Sequence, residues 1–183
     1  MKKVFTLIYP WDVNGYKPAV EYYLTVDQEG FHMHILAMES NPRREQTEHQ
    51  SAVCTDSCVE WFVNFCPKES DRYFNFEVNP NGAMYASFRK NRYDYRMLEL
   101  EEIEQLNIKV VVNSDIWEVH YTVPFTLIQK YIPEYQFKKG MMIKANFYKC
   151  GDDMIFPHYG MWSEIKGEQD FHTPEFFGEI VLK

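Results

Sequence analysis

The sequence has no basic run and no surplus of positive charge: 19 Lys and Arg stand against 27 Asp and Glu, a net charge of −8. Without a cationic surface a chain cannot neutralise a phosphate backbone, so nucleic acid is excluded as a partner. No stretch approaches the roughly 20 apolar residues that span a bilayer as a helix, which sets membranes aside as well. The opening MKKVFTLIYPWD is too short in apolar residues for the about 7–15 of a secretory core and has no small-residue cleavage site. As written the chain carries no export signal and reads as cytoplasmic, or as secreted or periplasmic if a leader has been trimmed away. The four cysteines, Cys54, Cys58, Cys66 and Cys150, contain no C-x-x-C pair, so a zinc knuckle is not indicated. If Cys54 and Cys58 share one extended segment they lie about 13 Å apart, beyond disulfide reach, and free, mostly buried thiols are expected. Also missing are G-x-S-x-G, the P-loop, G-x-G-x-x-G and H-E-x-x-H, and with them the common signatures of acyl-transfer, nucleotide and zinc-hydrolase chemistry.

Aromatic residues are abundant: 14 Phe, 13 Tyr and 4 Trp make up 17% of the chain. Such a level suits strand-rich folds and surfaces that hold flat ligands. An apolar fraction of 45% over 183 residues supports one domain, 1–183, with a core large enough to need no disulfide framework. Periodicity is two almost throughout. Val20, Tyr22, Leu24 and Val26 alternate with polar or smaller partners, Asp27-Gln28-Glu29-Gly30 turns the chain, and Phe31, Met33, Ile35 and Ala37 resume the alternation. Residues 58–66 are apolar on both faces, as in a central strand covered on both sides. Phe74, Phe76 and Val78 precede the turn Asn79-Pro80-Asn81-Gly82, and Met84, Ala86 and Phe88 follow it. Residues 108–123 form a further hairpin, 141–148 and 177–182 read as closing strands, and Pro124 opens one short helix. Residues 91–106, rich in glutamate, read as a solvated loop or short helix. No βαβ alternation occurs, so the fold class is all-β, an antiparallel sandwich of jelly-roll or immunoglobulin-like type with one short helix.

Among 27 acidic residues, carboxylates close in sequence carry little information, and a glycosidase pair is defined by a separation that sequence does not give. Glu60 stands out, because a carboxyl inside the apolar run Ser57-Cys58-Val59-Glu60-Trp61-Phe62 is costly unless it is wet or partnered. Trp162-Ser163-Glu164 and Phe171-His172-Thr173-Pro174-Glu175-Phe176-Phe177-Gly178 place aromatics among turn-formers, where a ligand platform or a loop plug over the core is expected. His32 and His34 lie on one face of a strand and could share a metal, although no third ligand is evident.

In order, these pieces resemble the family 9 carbohydrate-binding modules, β-sandwich sugar binders often appended to xylanases. Ser57-Cys58-Val59-Glu60-Trp61-Phe62 is similar to the family's D-S-V-E-I-F strand and Phe76-Glu77-Val78-Asn79 to its F-R-V-N strand. Asn146 is similar to an asparagine on a later strand, Trp162-Ser163-Glu164 to W-S-D, and residues 171–178 to the W-R-D-P-S-K-F-G ending. The likeness spans about residues 50–180. It implies non-catalytic binding of a carbohydrate, with a glutamate (Glu60) accepting sugar hydroxyls and an aromatic (Phe171) stacking on the ring, and with Glu77, Asn146 and Trp162 completing the site. Two positions depart from the pattern. Cys54 stands where the first sandwiching tryptophan is expected, and Glu77 where an arginine is expected. A half-complete clamp implies weak, millimolar affinity. No cofactor is required, while family members often hold structural calcium through loop carboxylates and carbonyls. A pyranose needs both features, an apolar ring for its C–H face and a carboxylate for vicinal hydroxyls. A different ligand on a related sandwich, such as b-type haem, and a glycoside-active enzyme are the other readings.

Overall fold

The computed structural model describes residues 3–182. The alternating segments become strands because only a pleated chain turns Val59, Trp61 and Val63 one way and Glu60 and Phe62 the other. Two antiparallel sheets result. The first runs β1 (Lys3–Thr6), β2 (Ala19–Val26), β3 (Gly30–Met38), β9 (Trp117–Pro124), β8 (Lys109–Val112) in spatial order. The second runs β11 (Tyr159–Met161), β10 (Met142–Cys150), β4 (Cys58–Asn64), β5 (Tyr73–Val78), β6 (Met84–Arg89), β7 (Tyr95–Met97), and β12 (Gly178–Val181) also pairs with β10. Their inner faces enclose one core in which Phe31, Trp61, Phe65, Phe76, Trp117 and Phe147 are fully buried. The expected sandwich is present.

The turn between β5 and β6 is built as its residues require. Gly82 sits at φ +80°, where a side chain is strained, and the Asn79 side-chain oxygen accepts from the N–H groups of Asn81 and Ala83. Pro124 caps helix α2 (Phe125–Tyr131), whose Leu127 and Ile128 close one end of the core. Within the acidic stretch lies a second, shorter helix, α1 (Leu100–Glu104), opened by a reciprocal capping box between Glu99 and Glu102. Of the two expectations for residues 91–106 the short helix is the one found: Glu102 satisfies the Glu99 N–H and is buried against Tyr131 and Lys130, so the glutamates are not merely solvated. All four cysteines are free, Cys58 and Cys150 buried and Cys54 and Cys66 half-buried. Cys54 does not share an extended segment with Cys58; it lies in a single 3-10 turn, Val53–Thr55.

Two buried polar devices join the sheets. The Tyr22 hydroxyl crosses the core, donating to the Tyr148 carbonyl and accepting from the Glu60 N–H at 3.2 Å, so it bridges β10 and β4 at the pair Tyr148–Glu60. At one end, the fully buried Lys149 ammonium meets Glu39 (3.4 Å), Ser57 (2.9 Å) and His158 (2.7 Å), while the Trp117 indole donates to Glu39 at 3.0 Å. Burial alone would raise the Glu39 carboxyl; Lys149, Ser57 and Trp117 outweigh it and hold the group below its ordinary value.

Candidate functional site

The outer face of the second sheet is not solvated. Alternate residues that point away from the core, Glu60 and Phe62 on β4, Asn75 and Glu77 on β5, and Ser87 and Arg89 on β6, are buried under the segments around residues 50–54 and 159–177. Between sheet and loops lies an open cleft of about 550 Å³, within the range of roughly 300–1,000 Å³ typical of small-ligand sites. Glu60, Glu77 and Arg89 form its floor and are 3%, 8% and 3% exposed.

Glu60 and Glu77 face each other directly across the β4–β5 ladder. Burial, and then the opposing Glu77, push the Glu60 carboxyl well above its ordinary range. Cys150 Sγ, on the neighbouring strand, donates to Glu60 Oε1 at 2.9 Å. Burial likewise raises Glu77, to about 7, against the pull of Arg89 and of Asn75, whose amide donates to Oε1 at 2.6 Å. Burial thus favours the neutral form of both carboxyls, more strongly for Glu60 than for Glu77, and a neutral carboxyl both donates and accepts. Asp152 on the rim is raised by burial as well.

Arg89 is held rather than loose. Its Nε donates to Ser87 at 2.8 Å, its Nη2 to the Tyr85 hydroxyl at 3.3 Å, and its guanidinium lies 4.6 Å from the centre of the Tyr95 ring. His172 closes that side: its Nδ1 lies 3.0 Å from the Tyr73 hydroxyl and 3.3 Å from Arg89 Nη1. Burial, Arg89 and Arg92 push its pKa down to about 3, which keeps the imidazole neutral. Arg92 is paired with Asp170 at 2.6 Å.

The residues singled out in the sequence separate into two groups. Glu60, Glu77 and Phe171 line the cleft, as does Cys54. Phe171 is stacked on Tyr148 with ring centres 4.0 Å apart and on Trp11 at 5.8 Å, so only the part these rings leave open is turned to the cleft. Trp162 and Asn146 are not among the lining residues. Trp162 packs edge-on against Phe5 (4.8 Å) and Phe147 (5.7 Å) and covers Gly178, where a Cβ would fall 2.4 Å from the indole. Asn146 donates to the Ser163 carbonyl and accepts from the Ser163 N–H, both at 2.8 Å; its polar atoms pin the loop that follows Trp162. Arg89, Tyr85, Tyr95, Asp152 and Tyr159 are cleft residues the sequence reading missed. The available signal was the polar alternation Asn75-x-Glu77 and Ser87-x-Arg89, which ordinarily marks a solvent face.

Among the described residues two sets of side chains have metal-ligand geometry, Cys58–Glu60–Cys150 in the cleft floor and His34–Glu118–His120 on the other sheet. Neither offers the all-oxygen shell that calcium takes. Burial pushes the Cys58 thiol up to about 12, and its neighbour and burial push Cys150 well above its ordinary value, so both stay protonated.

Comparison with known proteins gives a consistent picture. The model of carbohydrate-binding family 9 matches residues 3–182. A crystal structure from Bacteroides uniformis, of a protein for which carbohydrate binding is suggested, superposes with a TM-score of 0.84 at 25% identity, covering 100% of this chain and 87% of that one. Two structures of a family 9 module from Caldicellulosiruptor kristjanssonii, each 13% identical, share the fold. The cellotriose complex has a TM-score of 0.71, with 100% of this chain and 83% of the other covered; the glucose complex has 0.65, with 96% and 84% covered. No curated protein matches.

Proposed function

The chain belongs to carbohydrate-binding family 9, and on that premise we propose that its cleft holds a saccharide without turning it over, hydroxyls on the Glu60–Glu77–Arg89 floor and the apolar face of the ring against Phe171 and the rim tyrosines. The observation that carries this reading is the composition of the floor. Three buried ionisable side chains with donor and acceptor capacity toward one cleft are expensive unless a polar ligand or water meets them, and few small molecules match them with hydroxyls as densely as a pyranose does. Arg89, two strands from Glu60, supplies the guanidinium that the Glu77 position lacks. Phe171 with Tyr85, Tyr95 and Tyr159 supplies aromatic surface where Cys54 supplies none. The Cys150 thiol that donates to Glu60 is pushed well above its ordinary range by Cys58 and by burial, which suits binding rather than bond cleavage.

The test is titration calorimetry with glucose and cellotriose, followed by a wider glycan array. Because burial and Glu77 favour the neutral Glu60 carboxyl, Glu60→Gln keeps a comparable neutral donor and acceptor and is expected to retain most affinity. Glu60→Ala removes about two hydrogen bonds worth roughly 0.5–1.5 kcal/mol each and is expected to weaken binding about tenfold. Saccharide binding that Glu60→Ala and Arg89→Ala leave unchanged, or no binding to any array glycan, would overturn the reading.

A further inference from the structure

On the opposite side of the sandwich, β3 and β9 pair so that His34 lies directly across from His120, with both side chains on the outward face of the first sheet. Glu118, two residues before His120 on the same strand, shares that face by the pleat. The imidazoles stack with centres 4.1 Å apart at 10°. Their Nε2 atoms aim at one carboxylate oxygen, Glu118 Oε2, at 3.1 Å from His34 and 3.6 Å from His120. The three donor atoms lie within 4.8 Å of one another. From this geometry we propose that His34, Glu118 and His120 form a binding site for a divalent transition metal of the zinc, nickel or copper class.

The distances suit such an ion. With metal–nitrogen and metal–oxygen bonds of about 2.0–2.2 Å, two ligands of a tetrahedral centre stand about 3.4 Å apart, a value that the two observed separations bracket. Entry of the ion into the position now spanned by the His–Glu contacts requires the rings to rotate out of their stack. It does not require the strands to move, because cross-strand register already places all three side chains. The donor set, two imidazoles and one carboxylate, is soft enough to disfavour calcium and magnesium and leaves coordination positions open. Those positions have room: a hollow of about 280 Å³ lined by His34, His120, Tyr23, Lys109 and Thr122 adjoins the triad. His32, the other imidazole of the strand pair, is tied to Asp27 at 2.9 Å and Thr122 at 2.9 Å and stays outside the set. The pair that could share a metal is thus His34 and His120 across two strands, and the third ligand is Glu118.

The site is independent of the saccharide reading. It is tested on the untagged chain by calorimetry with zinc chloride alone and by visible absorption with cobalt(II), whose bands report coordination number. One equivalent of zinc per chain is expected at micromolar affinity, weakened at least tenfold in His34→Gln and in His120→Gln and less in Glu118→Gln, with the metal-free melting temperature of each variant unchanged. No zinc uptake at 100-fold excess over protein would overturn it. So would uptake that both histidine variants retain and Cys150→Ser abolishes, which would place the ion in the cleft floor.

Discussion

The carboxyl of Glu77 makes the stability of this protein depend on pH in a way that one substitution isolates. Burial, opposed by Arg89 and Asn75, raises its pKa from 4.5 to about 7. Between those values the folded chain keeps a proton that the unfolded chain has released, so stability falls as pH rises through the window and levels off above about 7. That difference corresponds to roughly 3 kcal/mol, about three quarters of it developed between pH 5 and 8. The wild-type profile alone does not display this, because His172 and His158, lowered by burial to about 3 and about 4, act with the opposite sign: their contribution is lost as pH falls below 6.5. Glu77→Gln removes the carboxyl's contribution and leaves that of the histidines. Since Glu60 and Glu77 titrate as a pair, the variant takes one proton from the pair's total. Urea unfolding of both proteins, followed by tryptophan fluorescence at pH 5, 6, 7 and 8, is expected to show the variant gaining roughly 2–3 kcal/mol on the wild type across that range. A difference that stays flat with pH would mean that Glu77 is already ionised in the native cleft and that the floor is wetter than its burial implies.

Three further outcomes follow from named contacts. Lys149→Met leaves Glu39 buried beside Trp117 without its cation and is expected to cost about 3–5 kcal/mol in urea unfolding, with the loss reduced when Glu39→Gln is added; additive losses would refute the pairing. Tyr22→Phe removes the hydroxyl that bridges the Glu60 N–H and the Tyr148 carbonyl inside the sandwich, at a cost of about 0.5–1.5 kcal/mol, and amide exchange at Glu60 should accelerate more than at Val63. In the cleft, Phe171→Ala is expected to weaken saccharide binding severalfold, from an aromatic contribution of about 0.5–1.5 kcal/mol beyond lost area, while Cys54→Trp, at a half-buried position lining the cleft, should tighten it; calorimetry showing no change for either would move the ring contact to Tyr85, Tyr95 or Tyr159.

The strands that enclose the core were legible because burial on one side writes itself into alternate positions: Val59, Trp61 and Val63, or Phe74, Phe76 and Val78, admit no other register. Where burial is absent the pattern is absent too, and β7, whose Tyr95, Arg96 and Met97 are all exposed, is indistinguishable in sequence from the acidic connection around it. Glu60 was legible for the converse reason, a carboxyl misplaced in an apolar run. Arg89 was not, since Ser87 and Arg89 alternating with Ala86 and Phe88 look like any strand with one wet face. Covering that face takes loops from residues 50–54 and 159–177, distant in sequence and without periodicity. The loop aromatics could be recognised as a group but not sorted. Trp162 and Phe171 stand in similar contexts, and only the approach of Gly178 under the Trp162 ring sends that residue to the core edge.

The division of labour between strands and loops has a consequence for recognition. Glu60, Glu77 and Arg89 sit on β4, β5 and β6, whose opposite faces are locked in the aromatic core, so the polar floor is fixed before any ligand arrives and little ordering cost falls on the hydroxyl contacts. The aromatic wall is different. Phe171 belongs to an irregular segment held by Tyr148, whose hydroxyl donates to its carbonyl at 3.1 Å, and by Asp170, which accepts from the His172 N–H at 2.8 Å. On the proposed reading the ring contact comes from the loop side and the hydroxyl contacts from the sheet. If saccharides bind as proposed, discrimination among them rests on the placement of hydroxyls against three buried ionisable groups, where a missing partner leaves a desolvated polar atom, and stacking adds affinity with little selectivity. On this argument epimers that differ at one hydroxyl should separate more sharply in affinity than chains that differ in length.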